Sequence, residues 1–172
     1  MNDPFELLGV EPKFALDVTD LETRHRELSR VLHPDRHVGE SASARRLTLS
    51  RAIEVNQAFQ VLRDPVRRAE ALLSRRGVTI EEGRDKAADP MLLMELLEFG
   101  ESISEARRAR DRAAIERKFS ELKARENESL STLGSAFEAG EAGTERVVKE
   151  IGMLRFTRRL LDEAALALDE LE

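Results

Sequence analysis

The sequence predicts an all-α protein of two domains, and three observations carry that prediction. Apolar residues recur at spacings of three and four, and no alternating run is long enough for a strand. Helix openings are marked by an aspartate cap followed by proline, at Asp3-Pro4 and again at Asp89-Pro90. Between them the periodicity fails from Gly77 to Ala88, which reads as a linker. The expected domains are residues 1–76 and 89–172, joined by 77–88. Their charges differ: residues 1–76 carry 13 Lys+Arg against 12 Asp+Glu, and residues 77–172 carry 15 against 22. Two halves of different electrostatic character suit two different partners.

In the first half, Asp3-Pro4 opens a short helix through Leu8, which Gly9 and Pro12 break. Asp17 caps a second helix, with Asp20 in its first turn to complement the helix dipole. Val18, Leu21, His25, Leu28 and Leu32 lie on one face of it. His33-Pro34 ends it, because the residue before a proline is pushed out of the helical region. A polar loop from Asp35 to Glu40 leads to Ser41 or Ser43, either of which can start the next helix. There Ala52, Val55, Phe59 and Leu62 face inward until Asp64-Pro65. These two helices read as nearly equal in length and should pack antiparallel across the short loop. A fourth helix, about 66–76, should bury Ala69, Leu72 and Leu73 and end at Gly77.

In the second half, Asp89-Pro90 launches a helix to about Arg110. A longer one follows from about Asp111 to Glu138, with Ile115, Phe119, Leu122, Leu133 and Phe137 on one stripe; its 28 residues would span roughly 42 Å. Gly140 and Gly143 make a turn, and Thr144 should cap a last helix striped by Val147, Ile151, Leu154, Leu161, Ala165 and Leu168. Short connections imply an antiparallel three-helix bundle.

Composition narrows function. The 172 residues are 41% hydrophobic, enough for a core, and the aromatics are seven Phe with no Trp or Tyr. That argues against aromatic cages and stacked-base platforms. The absence of Cys excludes disulfides, thiolate metal sites and thiol catalysis, and fits a reducing, cytoplasmic setting. No apolar run approaches the roughly 18 residues of a membrane helix, and the acidic start MNDPFELLGV does not read as a signal peptide. A net charge of −6 argues against bulk nucleic-acid binding. Within Arg24–Arg51, however, seven arginines face only Glu27, Asp35 and Glu40, a local net of +4.

One segment stands apart: Leu32-His33-Pro34-Asp35-Arg36 in the turn of the hairpin. His33 and Asp35 could simply cap two helix ends. The surroundings say more. A short first helix, a basic second one, His-Pro-Asp in the loop, and Asn56, Ala58, Phe59 and Leu62 before Asp64-Pro65 together resemble a J-domain. DPFELLGVEPKFALD at the start, RRAEALLSRRG after the third helix and LLMELLEFGESISEA before the bundle resemble the HscB family, the J-type co-chaperones of bacterial iron–sulfur cluster assembly. The resemblance covers essentially the whole chain. Two residues depart from the family pattern: Leu32 stands where an aromatic is common, and Ser104 where the family tends to be acidic. The cysteine zinc module of many eukaryotic relatives is missing, which favours the bacterial type.

The resemblance implies a non-enzyme that docks on a DnaK-type ATPase, the specialised HscA, and stimulates its ATP hydrolysis. Pro34 would fix the loop, Asp35 would offer an anion to an arginine of the partner, and His33 would donate a hydrogen bond or anchor the loop. Arg24, Arg26, Arg30 and Arg36 would present a basic surface that sets on-rate and orientation; alternatively they form a solvated helix face, with Glu22–Arg26 an i,i+4 pair. The second domain would hold the cluster scaffold IscU, through Leu93, Met94, Leu97, Glu98, Glu101 and Phe156. Leu93 and Leu97 could equally be bundle core with Met94 filling a gap. Yet Met91, Leu92, Leu93, Met94, Leu96, Leu97 and Phe99 exceed one apolar face, which favours a binding patch. No cofactor, nucleic acid or membrane is expected, and the protein should be a monomer.

Rival readings remain. His25, His33 and His37 around Asp35 could hold a metal, although no acid is placed to support the imidazoles. A general J-domain co-chaperone handing unfolded chains to a DnaK-type chaperone is the nearer alternative. It would usually carry a Gly/Phe-rich linker, cysteine zinc repeats or β-rich client domains, and none is present.

Overall fold

The computed structural model describes residues 3–80 and 90–171, with no strand among the described residues. The chain divides into two compact units, residues 1–79 and 80–172. The first contains α1 (Pro4–Leu8), α2 (Val18–Val31), α3 (Ala42–Arg63) and α4 (Pro65–Arg75). Their starts are satisfied by side chains. Asp3 accepts from the Phe5 N–H, Asp17 from Thr19 and Asp20, Ser41 from Ala44, and Asp64 from Val66 and Arg67. Each such cap contributes about 1 kcal/mol. Gly9 ends α1 at φ 62, a left-handed turn that glycine adopts without strain.

The hairpin is unequal, contrary to the expected near-equality: α2 has 14 residues and α3 has 22. The cause is local. Ser41 caps a run of good helix formers around Ala42, Ala44, Arg45 and Arg46, so α3 starts well before its core-facing stripe at Ala52. The loop also contains a 3-10 turn, Pro34–His37, that periodicity could not reveal. The core of this unit is Phe5 and Leu8, Leu21, then Val55, Ala58, Phe59 and Leu62, closed by Val66, Ala69, Leu72 and Leu73. Of the stripe on α2, only Leu21 is fully buried. His25 extends it sideways by stacking on Phe59, ring centroids 4.1 Å apart.

The second unit contains α5 (Pro90–Arg108), α6 (Arg112–Glu138) and α7 (Thr144–Asp169). Asp111 caps α6 through the Ala114 N–H. Thr144 does not cap α7. It is the first helical residue, and Gly143 holds the cap position without a side-chain bond. A Cβ on Gly143 would lie 1.9 Å from the Ala136 carbonyl oxygen, so the closeness of this turn excludes a capping side chain. Val147, Ile151, Leu154 and Leu161 are buried as the stripe predicts. Farther along, Ala165 and Leu168 are only half-buried, and Leu160, Ala164 and Ala167 take the buried places. There α7 packs on α5 as well as α6, and the apolar face widens. Between α6 and α7, the buried Glu126 carboxylate meets Arg158 at 2.8 Å and Lys123 at 3.0 Å. Burial would raise its pKa, but the two cationic donors outweigh that and hold it below the ordinary carboxylate value.

Candidate functional site

The His33-Pro34-Asp35 loop is held by its own backbone and by the end of α2. His33 takes the extended conformation that the following proline demands, at φ −64 and ψ 131. Its Nδ1 accepts the Asp35 N–H at 3.3 Å, and its Nε2 has no partner among the described residues. The Arg36 N–H donates to the His33 carbonyl at 3.0 Å. Asp35 is then projected from the turn with its side chain 86% exposed, its carboxylate 3.6 Å from His33 Nδ1.

His37 fastens the loop back onto the helix. Its Nδ1 meets the Glu40 carboxylate at 2.8 Å and its Nε2 the Val31 carbonyl at 3.0 Å. Both partners only accept, so the imidazolium, with two N–H groups, suits the site best. The Glu40 bond, then the Val31 carbonyl, raise the His37 pKa despite desolvation and the nearby Arg36. The sequence showed no acid supporting an imidazole; Glu40, three residues on, is that acid. Because the folded pKa lies above the ordinary value of about 6.5, this clamp's stabilisation is complete below that value. It is lost as pH rises through the raised pKa. The thermal midpoint of the protein should therefore exceed that of His37→Ala more at about pH 5.5 than at about pH 8.5. An equal difference at both would contradict the clamp.

The three histidines thus have separate posts. His25 reaches Asn56 Oδ1 at 2.8 Å, His33 caps the turn and His37 holds Glu40. Among the described residues no group of three His, Asp or Glu is arranged to hold a metal.

The arginines are not equivalent. Arg24 donates from Nε to Asp20 at 2.8 Å and from Nη1 to the Gly9 carbonyl at 2.9 Å, tying α2 to the end of α1. Arg26 does not pair with the Glu22 carboxylate; it reaches the Glu22 carbonyl at 3.3 Å and Thr23 Oγ1 at 3.2 Å. Arg36 touches the Arg30 carbonyl at 3.4 Å. The exposed Arg30 guanidinium has no internal partner among the described residues. Arg26 and Arg30 are therefore the cations of α2 least committed to the fold.

Of the apolar surplus on α5, the side chains of Met91 and Leu92 lie outside the described residues; the others divide between core and surface. Leu96, Ile103 and Ala106 are buried, while Met94 and Leu97 are 63% and 53% exposed. Phe99 is half-buried beneath the Lys118 ammonium, 4.8 Å from the ring centroid, and the Arg125 guanidinium, 5.3 Å away. Glu98 and Glu101 are exposed beside the apolar pair. The side chain of Leu93 lies outside the described residues. Phe156 on α7 is half-buried and packs against the cluster that includes Leu96 and Leu160.

Three contacts set the register of α5 beside α7. A Cβ on Gly100 would meet Leu160 Cδ2 at 3.4 Å, Ser104 donates to Glu163 at 3.4 Å, and Arg107 pairs with Glu170. The helices run parallel with an offset of about sixty residues, so one turn earlier Phe156 falls at the level of Leu96, whose cluster it packs against. The structure thus leaves Met94, Leu97, Glu98 and Glu101 exposed on α5 and sets Phe156 half-buried against the cluster that holds Leu96.

Sequence reasoning missed the Glu40–His37 clamp, which an i,i+3 acid would have signalled. It also missed the exposed apolar residues flanking the loop, Val31 at 58% and Val38 at 71%.

Comparison with known proteins covers both units. Residues 3–71 match the DnaJ domain, and residues 88–165 match the HSCB C-terminal oligomerisation domain. A "Co-chaperone protein HscB homolog" of Burkholderia multivorans is 32% identical, over 98% of this chain and 95% of the relative. The solved chaperone HscB from Vibrio cholerae superposes with a TM-score of 0.87 at 30% identity, covering 99% of each chain. Human co-chaperone HscB does so with a TM-score of 0.88 at 27% identity, over 96% of this chain and 82% of that one. With a J-domain in the first unit, the HscB-type bundle in the second and full-length relatives above 30% identity, this chain belongs to the HscB family of J-domain co-chaperones.

Proposed function

We propose that this protein docks a DnaK-type chaperone, the dedicated HscA, through the His33-Pro34-Asp35 loop and delivers to it the iron–sulfur scaffold IscU, held on the second unit. The reaction is ATP hydrolysis by the partner; this chain supplies contacts and no catalytic group. The observation that carries the reading is the exposed Asp35 carboxylate on a turn fastened from both sides by His33 and His37. Such a group meets a partner arginine without first having to order itself, and a charge-assisted pair then holds the loop. Arg26 and Arg30 steer the approach, and Arg24 and Arg36 add charge while mainly serving the fold.

Met94, Leu97 and Phe156, with Leu93 on the same helix, form the anchor for the scaffold, and Glu98 and Glu101 form its rim. An exposed methionine and leucine beside a half-buried phenylalanine offer apolar area that the bundle itself leaves in water. Truncating such an anchor commonly costs about 2 kcal/mol, roughly thirty-fold in affinity. Calorimetry against the scaffold should rank Leu97→Ala as most damaging and Glu101→Ala as least. Phe156→Ala should weaken binding too, with some loss of stability because its ring also packs on the core. Parent-like binding by all three would overturn the client site. An unchanged rate of ATP hydrolysis by the chaperone in the presence of this protein would overturn the docking reading.

A further inference from the structure

The α5–α6 turn closes on a residue in the left-handed conformation, Arg110 at φ 54, the only such non-glycine among the described residues. Glycine is the strain-free choice at that position, because a Cβ crowds the neighbouring carbonyl there. The turn is otherwise ordinary: the Asp111 N–H returns to the Ala106 carbonyl and the Arg110 N–H to the Arg107 carbonyl. An arginine stands where the backbone is left-handed, which directs attention to its side chain.

That side chain lines a cup of about 500 Å³ with Ser104, Arg107, Arg108, Glu170 and Leu171. Glu170 neutralises Arg107 through a two-pronged ion pair. No hydrogen bond or ion pair engages the guanidinium of Arg108 or Arg110 among the described residues. Among the described residues the cup therefore holds two cations without an ion-pair partner, in a half of the chain that carries 15 basic against 22 acidic residues. The Ser104 hydroxyl is already given to Glu163, and Leu171 forms a short apolar wall.

Two residues of the cup lie on the same stripe of α5 as Leu97. Leu97, Glu101, Ser104 and Arg108 follow one another at intervals of four, three and four, one stripe along α5, spanning about 16 Å at the helical rise. Along that face the chemistry changes from apolar at Met94 and Leu97, to acidic at Glu98, Glu101 and Glu105, to cationic at Arg108 and Arg110 of the turn.

We propose that the cup is the anion subsite of the client-docking face and receives a carboxylate side chain of the docked protein. The assignment rests on the client-docking reading of α5. Guanidinium forks match a carboxylate with two parallel hydrogen bonds, and Leu171 contacts the methylenes that carry it. The charge order along α5 then fixes orientation: the docked protein sets basic groups against Glu98, Glu101 and Glu105 and its acid at the α5–α6 turn. The reversed pose would place like charges together at both ends.

The test is calorimetry of the full chain against the IscU-type scaffold, paired with thermal unfolding of each variant. Arg110→Gly removes one cation and relieves the strained backbone, so its melting temperature should rise while affinity falls roughly tenfold. Arg108→Ala should weaken binding similarly. Glu170→Gln releases Arg107 and should strengthen binding, a sign opposite to that expected if the ion pair were merely structural. Should Leu97→Ala weaken binding while Arg110→Gly and Arg108→Ala bind like the parent, the anion subsite is overturned and the client face stands. Should the scaffold fail to bind, or Leu97→Ala bind like the parent, the client reading falls and the subsite with it.

Discussion

Replacing Asp35 with asparagine should return ATP hydrolysis by the DnaK-type partner to its unstimulated rate while the helical circular-dichroism signal stays unchanged. The two halves of that expectation have separate causes. The loop is built by the His33 cap, the Arg36 N–H and the His37 bridge between Glu40 and Val31. None of these bonds uses the Asp35 side chain, and exposed substitutions away from such features usually shift stability by about 0.5 kcal/mol or less. Asparagine keeps the shape and removes only the charge. What is lost is the anion a partner arginine would grip with a charge-assisted bond, roughly twice as strong as a neutral one. Single-turnover hydrolysis measures this directly. Stimulation by Asp35→Asn equal to that of the parent would show that the loop acts through some other group.

The second large effect concerns stability and lies at Arg68, a residue that the apolar pattern of its helix does not single out. Its guanidinium is buried, and donates to the Leu62 carbonyl at 2.7 Å, the Phe14 carbonyl at 2.7 Å and the Arg63 carbonyl at 3.3 Å. Leu62 and Arg63 end α3 where Pro65 begins a new helix, so their carbonyls lack the helical donors they would otherwise have. Phe14 belongs to the α1–α2 connection, and its ring lies 5.7 Å below the same guanidinium. One side chain thus ties three segments together. Burial pushes its pKa below the ordinary arginine value, with the Asp64 carboxylate opposing. Arg68→Met keeps much of the volume and takes the guanidinium donor from three carbonyls, that of Leu62 buried and those of Phe14 and Arg63 part-buried. Its cost should be about 3 kcal/mol. Arg68→Lys, with one compact ammonium in place of a fork, should lose less but still measurably. Urea unfolding followed by circular dichroism reads both. A loss under about 1 kcal/mol for Arg68→Met would contradict the assigned role.

Much of the architecture was legible because it depends on local chemistry. Asp3-Pro4, Asp17 and Ser41 start helices by offering oxygen to free N–H groups, and Gly9 ends one by turning left-handed; each choice is made by a few adjacent residues. The stripes failed where burial depends on a third helix. Ala165 yields to Ala164 and Ala167 because α7 meets α5 as well as α6 there. Thr144 yields to Gly143 because Ala136, seven residues earlier, leaves no room for a Cβ. The His33-Pro34-Asp35 turn was legible through its tripeptide and its setting, but the separate contacts of the arginines around it were not. Arg24 and Arg30 look alike in sequence, and only the fold brings the Gly9 carbonyl to one of them. The same holds for Arg110, whose backbone strain no composition reveals.

The central claim is that one protein carries two independent docking surfaces, one for the chaperone and one for its client. Sedimentation of the full chain with the ATP-bound chaperone and the scaffold tests it most directly. A ternary complex should form; Asp35→Asn should lose the chaperone and keep the scaffold, and Leu97→Ala should do the reverse. If the scaffold and the chaperone instead displace one another, or if either substitution abolishes both interactions in a folded protein, the two-surface account is wrong.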